Sequence, residues 1–112
     1  MVAAQQLLHD HNPPTAIFAS NDYMAAGVMK AAAQLRISIP YELSVCGFDD
    51  SPVARHLTPT LTTVRRPDEQ CAQYAGELLI RQLKKHLDPF TLGQLHSKII
   101  VRDSTAPVNK AL

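Results

Sequence analysis

The chain has 112 residues, enough for one domain with a real core. Its 11 basic and 10 acidic residues leave a net charge of +1 with no basic block, so nothing announces a nucleic-acid surface, and 46% hydrophobic residues is too many for a disordered chain. No apolar run is long enough to span a membrane, Met1 to Asn12 lacks the basic start and apolar centre of a signal peptide, and Cys46 and Cys71 form neither a metal spacing nor a disulfide framework. Reduced thiols suit a cytoplasmic protein.

Val2 to His11 reads as the last turns of a helix, with Val2, Ala3, Leu7 and Leu8 at helical spacing and Pro13-Pro14 forbidding continuation. No capping residue precedes the pattern, which hints at a piece of something longer. His9 and His11 have no further ligand nearby and read as exposed helix-end histidines. Thr15 to Ala19 is short, apolar and partly β-branched, a strand. Ser20 or Asn21 caps the next helix, and Asp22 in its first turn suits the helix dipole. That helix runs to about Arg36, with Met24, Val28, Met29, Ala32 and Leu35 on the buried side and alanines that allow close approach to a neighbour.

Leu43 to Phe48 is a second strand, closed abruptly by Asp49 and Asp50. Strand, helix and strand in this length make a right-handed βαβ unit with parallel strands. Asn21 and Asp49 then emerge on the same edge of the sheet, beyond the carboxyl ends where α/β proteins place ligands. A carboxylate beside an amide, with no nucleophile, suits recognition of neighbouring hydroxyls. Asn21 also reads as a plain helix cap and the aspartates as turn residues; the same loops serve both purposes.

Ser51 to Leu57 reads as a short helix capped by Ser51, with Pro52 at its first position. Leu61 to Val64 is β-prone, and Arg65-Arg66-Pro67 breaks it; the arginines read as an anion site or as solvated side chains. From a cap at Asp68, the longest helix runs to about Leu87 with Ala72, Ala75, Leu78, Leu79, Leu83 and Leu87 on one face, and Lys84, Lys85 and His86 at its negative end. Asp88 to Gln94 is loop, Ile99 to Val101 a third apolar strand, and the tail beyond Pro107 is loose. There is no Gly-rich phosphate loop and no Gly-x-Ser-x-Gly elbow. Asp49-Asp50 with Mg²⁺ remains an alternative, although a strand-end lysine is missing.

The segments Thr15-Ala-Ile-Phe-Ala-Ser-Asn-Asp-Tyr-Met-Ala-Ala-Gly, Ile39-Pro-Tyr-Glu-Leu-Ser-Val-Cys-Gly-Phe-Asp-Asp, Leu57-Thr-Pro-Thr-Leu-Thr-Thr-Val and Val101-Arg-Asp-Ser-Thr-Ala-Pro resemble the lactose-repressor (LacI/GalR) family of bacterial transcription regulators, in order and at family spacing from Pro14 to Pro107. The resemblance implies an α/β fold: a partial type I periplasmic-binding-protein-like fold, a parallel sheet with flanking helices. It is the C-terminal lobe (1–61 and 97–107) plus a crossover strand and helix (62–96) that normally pack on an N-terminal lobe. It implies no enzyme, no cofactor and no membrane partner. It does imply a small-molecule effector, usually a sugar or nucleobase, self-association, and operator DNA reached only through a DNA-binding head that this chain does not contain.

By position in the family motifs, Asn21 and Asp49 contact effector, and Arg66 stands where a glutamine sometimes reaches it. Met24, Ala25, Val28, His56 and Leu57 fall on the family's dimer contact. Arg36 replaces a helix-ending glycine, Cys46 a buried valine, and Asp50 becomes a structural neighbour. Without its lobe, the face of the long helix is exposed, refolded onto the remaining lobe, or buried against another copy. A fragment of a sugar-transport binding protein of the same fold is the rival reading; the repressor-type ending from Val101 favours the regulator.

Overall fold

The computed structural model describes residues 1–85 and 93–108. Elements run α1 (Val2–Leu8), β1 (Ala16–Phe18), α2 (Asp22–Gln34), β2 (Ser44–Phe48), α3 (Val53–His56), β3 (Thr62–Arg65), α4 (Asp68–Leu83) and β4 (Lys98–Ile100). The chain divides into two compact units: Met1–Arg65 with the segment from Lys98 onward, and Arg66–Ser97.

In the first unit the strands form one sheet in the order β1-β2-β3-β4. β1, β2 and β3 are parallel; β4 runs antiparallel against β3, pairing Ile100 with Thr63 and Lys98 with Arg65. The parallel pairs are joined through α2 and through α3, so the carboxyl ends of β1 and β2 share one edge. The apolar core lies under α1 and α2, with Leu43, Val45 and Leu61 fully buried. Burying each of these side chains contributes about 1.5–3 kcal/mol. Along β2 the alternation is strict: Val45 and Gly47 are buried, while Ser44, Cys46 and Phe48 on the other face are half-buried. Phe18 on β1 is 63% exposed.

Where β2 and β3 diverge at their starts, Ser104 bridges them. Its hydroxyl donates to the Val45 carbonyl (2.6 Å) and accepts from the Thr62 N–H (2.8 Å), while its carbonyl accepts from the Val45 N–H (2.8 Å). The repressor-like ending is thus a structural seam that closes the sheet.

Several elements differ from the sequence expectation. α1 stops at Leu8 rather than His11: the His9 N–H closes on Gln5, and Asp10 turns back to accept from the Asn12 N–H. On α2 the buried stripe is Ala25, Val28, Met29, Ala31 and Ala32, and Met24 is 57% exposed, because the helix is phased so that Asp22 and Ala25 face the sheet. Ser51 does not cap α3; Pro52 holds that position, and the Ser51 hydroxyl is spent on Asp22. Cys46 is half-buried rather than buried. α2 ends with Arg36 at φ 57°, its N–H donating to Ala33 and that of Ile37 to Ala32. This paired closure is the Schellman ending, built here on a non-glycine residue.

In the second unit, α4 begins after Pro67, not with Asp68 as side-chain cap; Asp68 instead pairs with Arg66. α4 buries none of its residues, and Leu79, Ile80 and Leu83 are 57%, 53% and 74% exposed. Gly93 lies against the Tyr74 hydroxyl, which a Cβ there would displace. The expected end of the helix at His86 and Leu87, the loop from Asp88 to Leu92 and the tail from Asn109 lie outside the described residues.

Candidate functional site

The candidate site is the edge beyond the carboxyl ends of β1 and β2. Asn21 leaves β1 with extended backbone, and its Oδ1 accepts from the Met24 N–H at 2.8 Å, starting α2. The cap fixes the amide plane at the strand end, and one lone pair and both N–H donors are left to the amide's chemistry. Asp49 leaves β2 half-buried at φ 111°, with its N–H donating to the Val64 carbonyl at 2.9 Å. Asp50 follows at φ 53°. Consecutive non-glycine residues in the left-handed region cost of the order of 1 kcal/mol each, so something must hold the turn.

The clamp is Asp50 itself. Its side chain is 2% exposed and is met by Arg102 (2.6 Å on Oδ1), Arg65 (2.6 Å on Oδ2) and, at the longer 3.6 Å, Arg55. Arg102 also donates to the Leu61 carbonyl at 2.8 Å, which ties the end of the chain to this turn. Burial works to raise the Asp50 carboxyl, but the hydrogen bonds and charges of Arg102 and Arg65 outweigh it and hold the group below the usual carboxylate range. Arg65 is therefore the last residue of β3 and an ion-pair partner, not a break with Arg66. Because guanidinium groups already occupy both Asp50 oxygens, Asp49-Asp50 is a poor cradle for Mg²⁺. Among the described residues no group of three or more His, Cys, Asp or Glu side chains is placed to hold a metal ion.

Beneath this turn lies a residue whose role the sequence did not announce. Asp22 is completely buried. Its Oδ2 accepts from the Ser51 N–H (2.7 Å) and hydroxyl (3.0 Å), and its Oδ1 from the Thr63 hydroxyl (2.5 Å). One carboxylate thus joins the loop after β1, the loop after β2, and β3. Gly47 is required beside it: a Cβ there would collide with the Asp22 carboxylate and the Leu61 side chain. Burial, then the Asp22 charge, raise the Cys46 thiol above its ordinary value and favour its protonated form.

The other expected site residues divide. Arg66 belongs to the second unit, forming a fork with Asp68 at 3.2 Å, and the side chains are 48% and 64% exposed. Such an exposed pair is worth about 0–1 kcal/mol. Of the expected dimer contacts, Ala25 (0% exposed) and Val28 (8%) are absorbed by this chain's own core and leave no surface for a partner. Met24 and His56 are exposed and Leu57 is half-buried.

Residues 1–105 match the family model of the periplasmic binding protein-like domain. Among curated relatives, the HTH-type transcriptional repressor PurR of Yersinia enterocolitica is 37% identical over 105 residues, covering 93% of this chain and 30% of the relative. The chain spans about a third of the length of the curated relatives it matches. A solved LacI family transcriptional regulator from Bifidobacterium animalis subsp. lactis superposes with a TM-score of 0.89 at 27% identity over 96% of this chain and 40% of that one. A LacI family regulator from Enterococcus faecium, solved with bound ribose, superposes with a TM-score of 0.82, also at 27% identity, over the same 96% and 40%. With the parallel strand ends, the Asp50 clamp and the Ser104 seam in place along the matched region, the chain belongs to the periplasmic binding protein-like domain family and corresponds to the C-terminal part of the effector-binding domain of LacI-type regulators.

Proposed function

We propose that this chain supplies the C-terminal half of an effector cleft in a bacterial transcriptional regulator, and that the effector is a small hydroxyl-rich molecule of the sugar class. The observation that carries the reading is the placement of Asn21 and Asp49 at adjacent parallel strand ends, Asn21 held by its bond to the Met24 N–H and Asp49 by its N–H on the Val64 carbonyl. A carboxylate accepts from vicinal hydroxyls, and a capped amide both donates and accepts. The ribose carried by the Enterococcus faecium structure is of that chemical class. Operator binding belongs to a head outside this chain, and the whole regulator is a cytoplasmic protein with no catalytic step. Self-association uses the exposed Met24 and His56 with the half-buried Leu57.

The test is made in the full-length parent. Asp49→Ala is expected to abolish the effector-dependent change in operator affinity while operator binding itself survives, read by mobility shift with and without effector. Normal induction in that variant removes Asp49 from the site.

A further inference from the structure

At the opposite end of the same strands lies a cavity of about 360 Å³ that the effector reading does not use. Thr15 and Ser44, where β1 and β2 begin, line it, whereas Asn21 and Asp49 follow the other ends. At about 3.3 Å per residue, Ser44 and Asp49 stand roughly 16 Å apart along β2. The volume falls in the range of small-molecule sites, which are apolar pockets with a few oriented polar groups.

The walls are aliphatic and ring carbon from Leu8, Pro14, Ile37, Pro40 and Pro107. The floor is already satisfied: the Ser44 hydroxyl donates to the Ala106 carbonyl and accepts from the Ala106 N–H, both at 3.1 Å. Recognition therefore falls to the rim. Among the described residues that line the cavity, Glu42 is the one that carries charge, and Tyr41, 71% exposed, stands next to it. Glu42 is held in place because its Oε2 accepts from the Ser38 N–H at 2.7 Å. A hydrogen-bonded carboxylate with a tyrosine next to it, among apolar walls, is the complement of an organic cation with an apolar body, since a carboxylate and an aromatic ring both attract positive charge.

We propose that this cavity is a second ligand site, separate from the effector edge, and that it takes a small protonated amine whose hydrocarbon part enters between the prolines. Anions are repelled by Glu42, and a neutral ligand of the same shape gains only the wall contacts.

The test is a titration of the isotopically labelled 112-residue chain at neutral pH with cyclohexylamine, cyclohexanol and cyclohexanecarboxylate, read by amide shifts. Cyclohexylamine is expected to shift Thr15, Tyr41, Ser44 and Ala106 saturably, and to bind at least tenfold more tightly than the other two. Glu42→Gln keeps an acceptor for Ser38 and removes the charge; it is expected to erase that preference. Ala106→Leu, which fills the floor, is expected to abolish the shifts while the rest of the spectrum is kept. Equal binding of the alcohol, shifts that map elsewhere, or an unchanged preference in Glu42→Gln each overturns the proposal. None of these outcomes bears on Asp49.

Discussion

At the residue scale the candidate site rests on two aspartates whose carboxylates are withdrawn from solvent, Asp22 and Asp50. Asp22 gathers three donor groups from the loop after β2 and from β3, and Asp50 gathers guanidinium groups from β3, from α3 and from the segment after β4. Together they hold the left-handed turn that presents Asp49. The Asp50 interaction has a pH signature whose sign follows from linkage. In the unfolded chain its carboxyl takes a proton near pH 3.9; in the folded chain its pKa lies lower, because Arg102 and Arg65 favour the ionised form. Its contribution to stability is thus fully present above that unfolded value and is lost as pH falls through the folded one. The expected result is an Asp50 carboxyl carbon that remains ionised, in an NMR titration, at a pH where Asp in a model peptide is already protonated. Denaturant stability should decline over the same acid range. An Asp50 that titrates at or above the ordinary value would show that burial, not the arginines, dominates.

At the element scale the end of α2 shows how a sequence pattern and a backbone conformation can disagree. The Schellman closure demands a left-handed residue, and the chain supplies Arg36 at φ 57°. A glycine there avoids the Cβ clash, although it costs more entropy on folding, so Arg36→Gly is expected to stabilise by about 0.5–1 kcal/mol. Thermal unfolding checks this; an unchanged or lowered midpoint would mean that the Arg36 side chain makes a compensating contact. The strands and helices that bracket the site were legible beforehand because each carries a local signal: β-branched apolar runs for β1 and β2, Asn21 as a cap, Pro67 as a stop. What remained hidden was long-range. Nothing near Asp22 in sequence indicates Ser51 or Thr63, and nothing near Asp50 indicates Arg102, since those partners meet only once the sheet has formed. The phase of α2 is likewise set by long-range packing. Met24 is more apolar than Ala25, yet Ala25 is 0% exposed and Met24 57% exposed, because Asp22, packed against Gly47, sets the face that α2 turns inward.

At the scale of the whole molecule, the exposed apolar surface decides behaviour in solution. Parallel sheets normally have both faces covered, yet Phe18 is 63% exposed. α4 presents Leu79, Ile80 and Leu83 without burying any of its residues. Each such side chain gains about 1.5–3 kcal/mol if fully covered, so a few of them suffice to drive association. The chain is accordingly expected to form a dimer or higher oligomer at micromolar concentration by light scattering, and a monomer there would overturn the expectation. Surface substitutions separate the sources. If α4 is responsible, Leu79→Glu with Leu83→Glu should yield a folded monomer, because neither residue supports a core. If the oligomer survives those changes and Phe18→Ser dissolves it, the open face of the sheet is the adhesive surface instead. Persistence through both sets leaves the exposed Met24, with His56 and Leu57, as the contact, the arrangement expected for a lobe that pairs with its own copy in the intact regulator.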